Sequence, residues 1–280
     1  MPTVAEKRRT FRALHEQGCF VIPNPWDVGS ARYLQSLGFK ALATTSSGVA
    51  WSMGHADGDV PIDTMLEHIR SLSAASDVPV NADFLSGFAV EPEDVAENVR
   101  RCVETGCAGL SIEDSTGDPA NPLFDFDLAV ERIRAARAEI DATGGDTLLV
   151  GRAECFLTGH PEPLKEAVHR LTAYAEAGAD CLYAPGVRKP DEIATIVNAA
   201  GPKPVNVVIG WGSDFSVGQL TDLGVRRISV GGAMARMAWG GIQRAAQEIA
   251  EHGTFTAFTD AVPSKPLNEL FAADAKRRLA

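Results

Sequence analysis

Hydrophobic and polar positions follow a recurring unit along the chain: an amphipathic stretch, a break containing glycine, and then a short apolar run. The breaks fall at Gly38, Gly106, Gly178 and Gly224. Glycine suits a helix C-terminus because the left-handed backbone found there is costly for residues that carry a Cβ. Short apolar strands after long amphipathic helices are typical of βαβ units with parallel strands.

Eight short apolar runs predict eight parallel strands. They are Cys19–Ile22, Ala41–Thr45, Val78–Asp83, Gly109–Glu113, Thr147–Arg152, Cys181–Ala184, Val205–Ile209 and Arg227–Val230. Helical patterns between them include Ile62–Ala75, Pro92–Glu104, Asp127–Ile140, Glu162–Glu176 and Asp191–Ala199. The first run is not followed by Gly-x-Gly-x-x-Gly, which weakens the alternative of an open dinucleotide-binding sheet. The pattern therefore predicts an α/β fold, a single (β/α)8 TIM barrel spanning residues 1–280.

Two further helical segments follow the eighth predicted strand, Ala233–Ala250 and Asp260–Leu279. They provide more helix than closure of a barrel needs. We therefore expect residues 233–280 to form C-terminal helices used in oligomerisation.

Net charge, hydropathy and cysteine spacing argue against several classes of function. The formal net charge of −11 argues against nucleic-acid binding, which needs a basic surface. The sequence contains no apolar run of the roughly 18 residues that a membrane-spanning helix needs, so we expect no membrane partner and a cytoplasmic location. The five cysteines have no metal-ligand spacing and lie beside apolar stretches, which predicts buried free thiols.

Polar residues cluster at the C-terminal ends of the predicted strands, where barrels of this class carry their active sites. Carboxylates lie at Asp27, Asp83, Glu113, Asp114 and Glu154, with Asp57 on a loop of the same rim. Clustered carboxylates repel one another unless they are protonated, paired or bound to a cation. Oxygen ligands without a His/Cys cluster favour Mg²⁺ or Mn²⁺ over zinc.

Two other features of this rim point to an acidic ligand. Arg152 offers a planar fork for a carboxylate or phosphonate, and the Ser46–Gly48 turn offers hydroxyl and backbone N–H groups. Simpler roles are also open. Asp27 and Asp114 could cap helices, Arg152 could pair with neighbouring glutamates, and Trp26 could be packing.

The same residues resemble the isocitrate lyase/phosphoenolpyruvate mutase superfamily. The resemblance runs from about residue 5 to residue 250, with its motifs in the expected order. The matching segments are Pro25–Ala31, Thr45–Gly48, Ala56–Gly58, Asn81–Asp83, Ser111–Asp114, Gly151–Glu154, Pro204–Val207 and Arg227–Gly231.

This resemblance implies a helix-swapped barrel, usually a homotetramer of dimers that exchange the helix after the eighth strand. It also implies Mg²⁺ held mainly through water, with Asp57, Asp83 and Glu113 as the metal-binding residues. Ser47 and Gly48 would bind the carboxylate of an oxo-acid through backbone amides, and Arg152 would hold its far end. The chemistry implied is cleavage or formation of a C–C or C–P bond beside a pyruvate enolate.

The remaining candidates extend this site. We include Trp26, Ser46, Asn206 and Asn121 among the substrate-binding residues, together with those named above. For proton transfer, we single out Asp57 and His55 on the loop after the second strand. Arg152 completes the predicted catalytic set.

The chain departs from the superfamily at three places. Asn81 replaces the first aspartate of the usual Asp-x-Asp on the third strand. The loop Ser115–Pro122 lacks the Cys, Lys and His of isocitrate and methylisocitrate lyases, although Asn121 matches the Asn found in phosphonopyruvate enzymes. A glutamate that some lyases carry after the sixth strand is replaced in Ala184–Gly186. Isocitrate lyase activity itself is therefore disfavoured.

Three functions remain open. The first is a Mg²⁺-dependent lyase that cleaves a C–C bond of a small 2-oxo or 2-hydroxy carboxylic acid. The second is a C–P bond enzyme related to phosphonopyruvate hydrolase or phosphoenolpyruvate mutase. The third is a weakly catalytic oxo-acid-binding protein. A Schiff-base aldolase is disfavoured because Lys40 and Lys203 precede strands and so fall on the opposite rim.

Overall fold

The computed structural model describes residues 2–279, which form a (β/α)8 barrel. Eight parallel strands are present in this range. They are β1 (Phe20–Ile22), β2 (Leu42–Ala43), β3 (Val80–Asp83), β4 (Gly109–Glu113), β5 (Leu148–Arg152), β6 (Cys181–Tyr183), β7 (Val205–Val208) and β8 (Arg227–Ser229). The ladder runs from β2 through β3 to β8 and on to β1, and the Ala43 N–H donates to the Pro23 carbonyl across the last gap (3.0 Å). The predicted fold is confirmed.

Helices cover the outside of the barrel. They are α1 (Val4–Glu16), α2 (Val28–Ser36), α3 (Ser46–Ser52), α4 (Ile62–Ala75), α5 (Pro92–Val103), α6 (Phe126–Ala142), α7 (Pro163–Glu176), α8 (Pro190–Ala199), α9 (Val217–Asp222), α10 (Ala233–His252) and α11 (Ser264–Leu279), with a 3₁₀ turn at Thr256–Asp260. Proline occupies the first turn of α5, α7 and α8, where its missing N–H costs nothing. A glycine break follows α7 at Gly178, whose φ of 106° disfavours other residues.

The main hydrophobic core lies between the strands and their covering helices, with residues such as Ile69, Val99 and Ile133 fully buried. The two C-terminal helices differ from the rest, because within the described residues α10 buries only Ala235 and α11 buries none. Four of the five cysteines are buried and all five are free thiols, as predicted, although Cys19 is half-buried. In the described range we find no helix that is both long and apolar enough to cross a membrane.

One row of side chains inside the barrel is unusual for this fold. Strand register pairs Arg152 with Tyr183, Tyr183 with Asn206, and Asn206 with Arg227. Side chains at paired positions of parallel strands point to the same face, so these four form one row. The interior of such a barrel is usually filled with branched apolar side chains. Here, a polar and charged row lies there instead, from Arg152 at the predicted active-site rim to Arg227 at the start of β8.

Candidate active site

A cavity of about 380 Å³ opens at the C-terminal ends of the strands. Its wall contains five of the predicted site residues: Ser46, Ser47, Asp57, Asp83 and Arg152. The cavity therefore lies where barrels of this class bind their substrates. These five residues come from α3, the loop after it, β3 and β5, and the fold brings them together.

Arg152 at the end of β5 is surrounded by carboxylates. Its Nη1 lies 3.1 Å from Glu113 Oε2 and 3.3 Å from Asp83 Oδ1, and its Nε donates to Glu154. Its guanidinium also lies over the ring of Tyr183, 5.2 Å from the centroid. One cation thus faces three carboxylates, which leaves a surplus of negative charge on this side of the cavity.

Burial, and then this crowding of carboxylates, raises the pKa values of these groups. Burial, together with repulsion from Glu154 and Asp83, raises the pKa of Glu113 to about 8 although Arg152 opposes the change. The pKa of Glu154 is also raised, by burial first and by Asp114 and Asp83. Asp57 lies at the cavity mouth, where partial loss of hydration and then the Asp83 charge raise its pKa. A bound cation would relieve this repulsion.

The Ser46–Gly48 segment, predicted as a turn, is instead the first turn of α3. Thr45 caps this helix, and its Oγ1 accepts from the Gly48 N–H (3.3 Å). The Ser46 N–H donates to Asp83 Oδ2 (3.0 Å). These contacts use two of the amides predicted to bind substrate, and the Ser47 N–H is left without a hydrogen-bond partner among residues 2–279. The prediction missed the helix because Ser-Ser-Gly has low intrinsic helix propensity.

The floor of the cavity is polar and centres on Arg227 at the start of β8. The Arg227 Nε donates to Asn206 Oδ1 (2.8 Å), and its Nη1 lies 3.4 Å from Asn81 Oδ1. Ser229 also lines the cavity and accepts from Asn206 Nδ2 (3.0 Å). Amide and hydroxyl groups therefore surround this arginine where carboxylates surround Arg152.

Asp114 lies behind the cavity wall, fully enclosed in protein. Its Oδ2 accepts from Tyr174 Oη (2.6 Å) and Arg170 Nη1 (3.1 Å), and its Oδ1 accepts from the Glu154 N–H (2.8 Å). It does not cap the next helix, because Asp125 does so. The cap interpretation holds for Asp27, whose carboxylate accepts from the Ser30 N–H at the start of α2.

Six of the predicted site residues do not line this cavity: Gly48 and Glu113, whose contacts are given above, and four others. Asn206 is buried behind the floor, where it holds Arg227. Asn121 lies on the exposed β4–α6 loop and donates to Asp118. Trp26 packs against Gly48, since its Cβ is 3.0 Å from where a Cβ on that glycine would lie. His55 lines a neighbouring pocket on α3 and α10, which shares Trp51 and Arg236 with the main cavity.

The grouping of the carboxylates limits how a metal ion could be held. Across residues 2–279, no three His, Cys, Asp or Glu side chains are grouped closely enough to hold a metal ion. Glu113 forms an ion pair with Arg152 and does not line the cavity, so Asp57 and Asp83 are the two carboxylates on the cavity wall. Mg²⁺ retains several waters and usually binds through one or two carboxylates, so this all-oxygen donor set fits a water-rich magnesium site.

Comparison with known proteins assigns the chain to a family. The model of the phosphoenolpyruvate phosphomutase family matches residues 11–250. The chain belongs to the isocitrate lyase/phosphoenolpyruvate mutase superfamily. The prediction of an enzyme of this superfamily is thereby confirmed, with carbon–carbon lyases among its relatives.

Three relatives illustrate this membership. An uncharacterised protein of Mycobacterium tuberculosis is 33% identical over 79% of this chain and 81% of its own length. The oxaloacetate decarboxylase of Paraburkholderia xenovorans is 30% identical over 69% of this chain and 66% of its own length. A crystal structure from Burkholderia cenocepacia J2315, of a protein whose proposed class is lyase/mutase, is 48% identical, covers 96% of each chain and superposes with a TM-score of 0.91.

Sequence reasoning missed several cavity residues. These are Asn24, Trp51, Tyr183, Trp211, Arg227 and Arg236. One signal was available for Arg227, because a charged residue opening an apolar strand and alternating with Ser229 must face the interior. Arg236 lies in the first turn of α10, and nothing in its local pattern indicates that it reaches the cavity.

Proposed function

We propose that the chain is a divalent-metal-dependent lyase that cleaves a C–C bond of a small 2-oxo or 2-hydroxy carboxylic acid. The observation that carries the proposal is the cavity at the strand ends, where Asp57 and Asp83 lie beside Arg152 and the free N–H of Ser47. Superfamily members are lyases and mutases acting on oxo-acids and phosphonates, and curated relatives include an oxaloacetate decarboxylase.

Asp57 and Asp83 would hold the metal, largely through water, with Glu113 behind them. A bound Mg²⁺ supplies positive charge that stabilises negative charge developing on the substrate oxygen. Arg152 supplies fixed N–H donors next to this position, so it binds and orients the oxo group. The Ser47 N–H and hydroxyl bind the adjacent carboxylate.

The bond-breaking step leaves an electron pair on the substrate. When the C3–C4 bond of a 2-oxo acid breaks, one carbon removed from the oxo group, the leaving fragment departs as CO2 or a carbonyl compound. The electron pair left on C3 forms a pyruvate enolate, which must then take a proton at C3. Asp57 lies at the cavity mouth with a raised pKa, so it holds a proton more readily than an ordinary carboxylate. A bound cation would lower that pKa again, so Asp57 is a candidate proton donor only where Asp83 holds the metal without it. His55 is the second candidate because its pocket adjoins the cavity.

Turnover of a substrate panel tests the proposal. Oxaloacetate, 2-methylisocitrate, isocitrate, citramalate-type acids and phosphonopyruvate are supplied with and without Mg²⁺, and pyruvate release is followed. We expect metal-dependent turnover that Arg152→Ala and Asp83→Ala abolish. Turnover of phosphonopyruvate alone would favour C–P chemistry instead. If no acid is turned over and oxalate fails to bind with Mg²⁺, the proposal is wrong.

We further propose that the chain assembles as a homotetramer of dimers that exchange α10. Met237, Trp239, Ile242 and Ile249 on α10 are all more than a third exposed, as are Phe255 and Phe258 after it. Exposed apolar side chains in this number are costly in water and support an interface on this helix. Light scattering coupled to gel filtration should give a tetramer, and Ile242→Asp should lower the mass. A monomeric wild-type chain would contradict the proposal.

A further inference from the structure

Arg227 is a buried cation at the floor of the cavity whose surroundings are neutral. Its exposed fraction is 3%, and its described partners are Asn206, Asn81 and the ring of His15, whose Nε2 lies 3.5 Å from Nη1. No Asp or Glu within residues 2–279 lies within ion-pair distance of it. Buried charges in proteins are normally paired, since an unpaired charge loses its hydration without compensation.

His15 does not provide the missing charge. Its Nδ1 lies 2.7 Å from the carbonyl of Phe11, which fits the Nδ1–H tautomer and leaves Nε2 as an acceptor facing Arg227. Burial, and then the charge of Arg227, lower the pKa of His15 to about 3. The ring is therefore neutral at pH 7 and accepts a hydrogen bond from the guanidinium without adding or removing charge.

One nitrogen of Arg227 remains available. Nε and Nη1 have the partners given above, whereas Nη2 has no hydrogen-bond partner among residues 2–279. The side chain lines the cavity together with Asn81, Ser111 and Ser229. The free N–H groups therefore belong to a nearly enclosed cation with polar neighbours and an open space above it.

Arg152 provides the internal contrast. Three carboxylates already surround it, so its charge attracts a further anion weakly, while the charge of Arg227 is uncompensated. An anion entering the cavity is therefore attracted more strongly by Arg227 at the floor than by Arg152 at the wall.

We propose that Arg227 forms an acid-binding subsite at the cavity floor, which takes the second acidic group of a 2-oxo dicarboxylic substrate. This proposal rests on the proposed function, which supplies the oxo-acid. It assigns Arg152 to the oxo group and Arg227 to the distal acid. The neutral partners Asn81, Asn206 and His15 hold the guanidinium in place without satisfying its charge, which leaves that charge for the ligand.

The first experiment needs no catalysis. Crystals of the wild-type chain are grown in EDTA, soaked in bromide, and measured at the bromine absorption edge. We expect a bromide within hydrogen-bonding distance of Arg227 Nη2. Arg226→Met is the matched control, because Arg226 is the preceding residue, carries the same charge and donates to Gly18 outside the cavity. It should retain the bromide, and Arg227→Met should lose it. Wild-type crystals without bromide at Nη2 would overturn the proposal.

The second experiment measures binding of oxaloacetate and of pyruvate by calorimetry in EDTA. The two ligands differ by one acidic group, so the ratio of their affinities reports the subsite for that group. We expect Arg227→Met to lower this ratio about tenfold or more, as expected for loss of a charge-assisted contact, and Arg227→Lys to restore part of it. Arg226→Met should leave the ratio unchanged. An equal ratio in the two methionine variants would overturn the proposal.

These readouts separate the inference from the proposed function. Bromide at Nη2 and a lowered ratio, in a chain that turns over no acid of the panel, would support the subsite and reject the lyase. Metal-dependent turnover with an unchanged ratio in Arg227→Met would keep the lyase and overturn the subsite.

Discussion

Two arginines face one cavity and meet opposite surroundings. Arg152 ends β5 among Asp83, Glu113 and Glu154, and Arg227 opens β8 among amides and a neutral imidazole. Both lie in the same row of the barrel interior. The carboxylate-rich side carries a surplus of negative charge, while the amide-rich side carries an unpaired positive charge.

The difference shows how one polar cavity can handle both a cation and an anion. In the proposed function the carboxylate-rich side would hold the metal, which would relieve the repulsion that, after burial, raises the pKa of Glu113 and Asp57. The amide-rich side attracts an acid because the charge of Arg227 is held but not neutralised. Because Arg227 lies apart from these carboxylates, its charge would not compete with the metal for them.

The largest effect should come from removing the cation that pairs with Asp114 behind the carboxylate-rich side of the cavity. Arg170→Met leaves Asp114 buried without its cation, so we expect the free energy of unfolding to fall by about 3–5 kcal/mol. Urea denaturation at pH 7 measures this change. Arg134→Met is the control, because Arg134 and Glu131 form an exposed pair and its loss should cost about 0.5 kcal/mol or less. Equal losses in the two variants would contradict the role given to Asp114.

The next effect concerns the proposed chemistry. Arg152→Met removes the N–H donors beside the oxo group, and we expect pyruvate release with Mg²⁺ to fall about 10²–10³-fold. Steady-state kinetics on the best acid of the panel measure this. Arg226→Met changes the net charge equally and should retain activity. If both variants kept activity, Arg152 would be no more than a partner of its three carboxylates.

The sequence predicted the fold well because periodicity and glycine breaks are local signals. Strand β4 was predicted with its observed ends, and β2 was predicted longer than the two residues that pair. The acidic rim was predicted from strand ends, but the direction of Glu113 was not, since it depends on Arg152 across the β4–β5 ladder. The floor was missed because the neutral partners of Arg227 lie on α1, β3 and β7, far apart in sequence.

A smaller effect should appear in the pH dependence of stability. The pKa of His15 in the folded chain is about 3, below its unfolded value near 6.5, so the unfolded chain binds more protons between these values. The stability contributed by neutral His15 is therefore present above pH 6.5 and is lost as the pH falls toward 3, by up to about 1.4 kcal/mol per pH unit.

His15→Gln should flatten that part of the profile. Urea denaturation at pH 7, 6, 5 and 4 gives the slope of the free energy of unfolding against pH. The variant should lack the part of this slope that comes from the proton that His15 binds in the unfolded chain. Part of the slope should remain, because burial also lowers the pKa of His68, to about 4. The exposed His252 is the control, and His252→Gln should leave the slope as in the wild type. An unchanged slope in His15→Gln would show that His15 binds its proton equally well in the folded and unfolded chains.

The smallest effect on stability should come from Asn81→Asp, which removes the difference in surroundings between the two arginines. Asn81→Asp places a carboxylate about where Asn81 Oδ1 lies, 3.4 Å from Arg227 Nη1, and so gives the amide-rich side the pairing that Arg152 already has. We expect the free energy of unfolding to change by about 1 kcal/mol or less, because the attraction is offset by the lost hydration of the new charge. The preference for oxaloacetate over pyruvate should fall about threefold, since a paired guanidinium attracts a second anion less. The exposed Asn198→Asp adds the same charge elsewhere and should leave the preference unaltered. If Asn81→Asp retained the full preference, neutral surroundings would not be what makes Arg227 available to an acid.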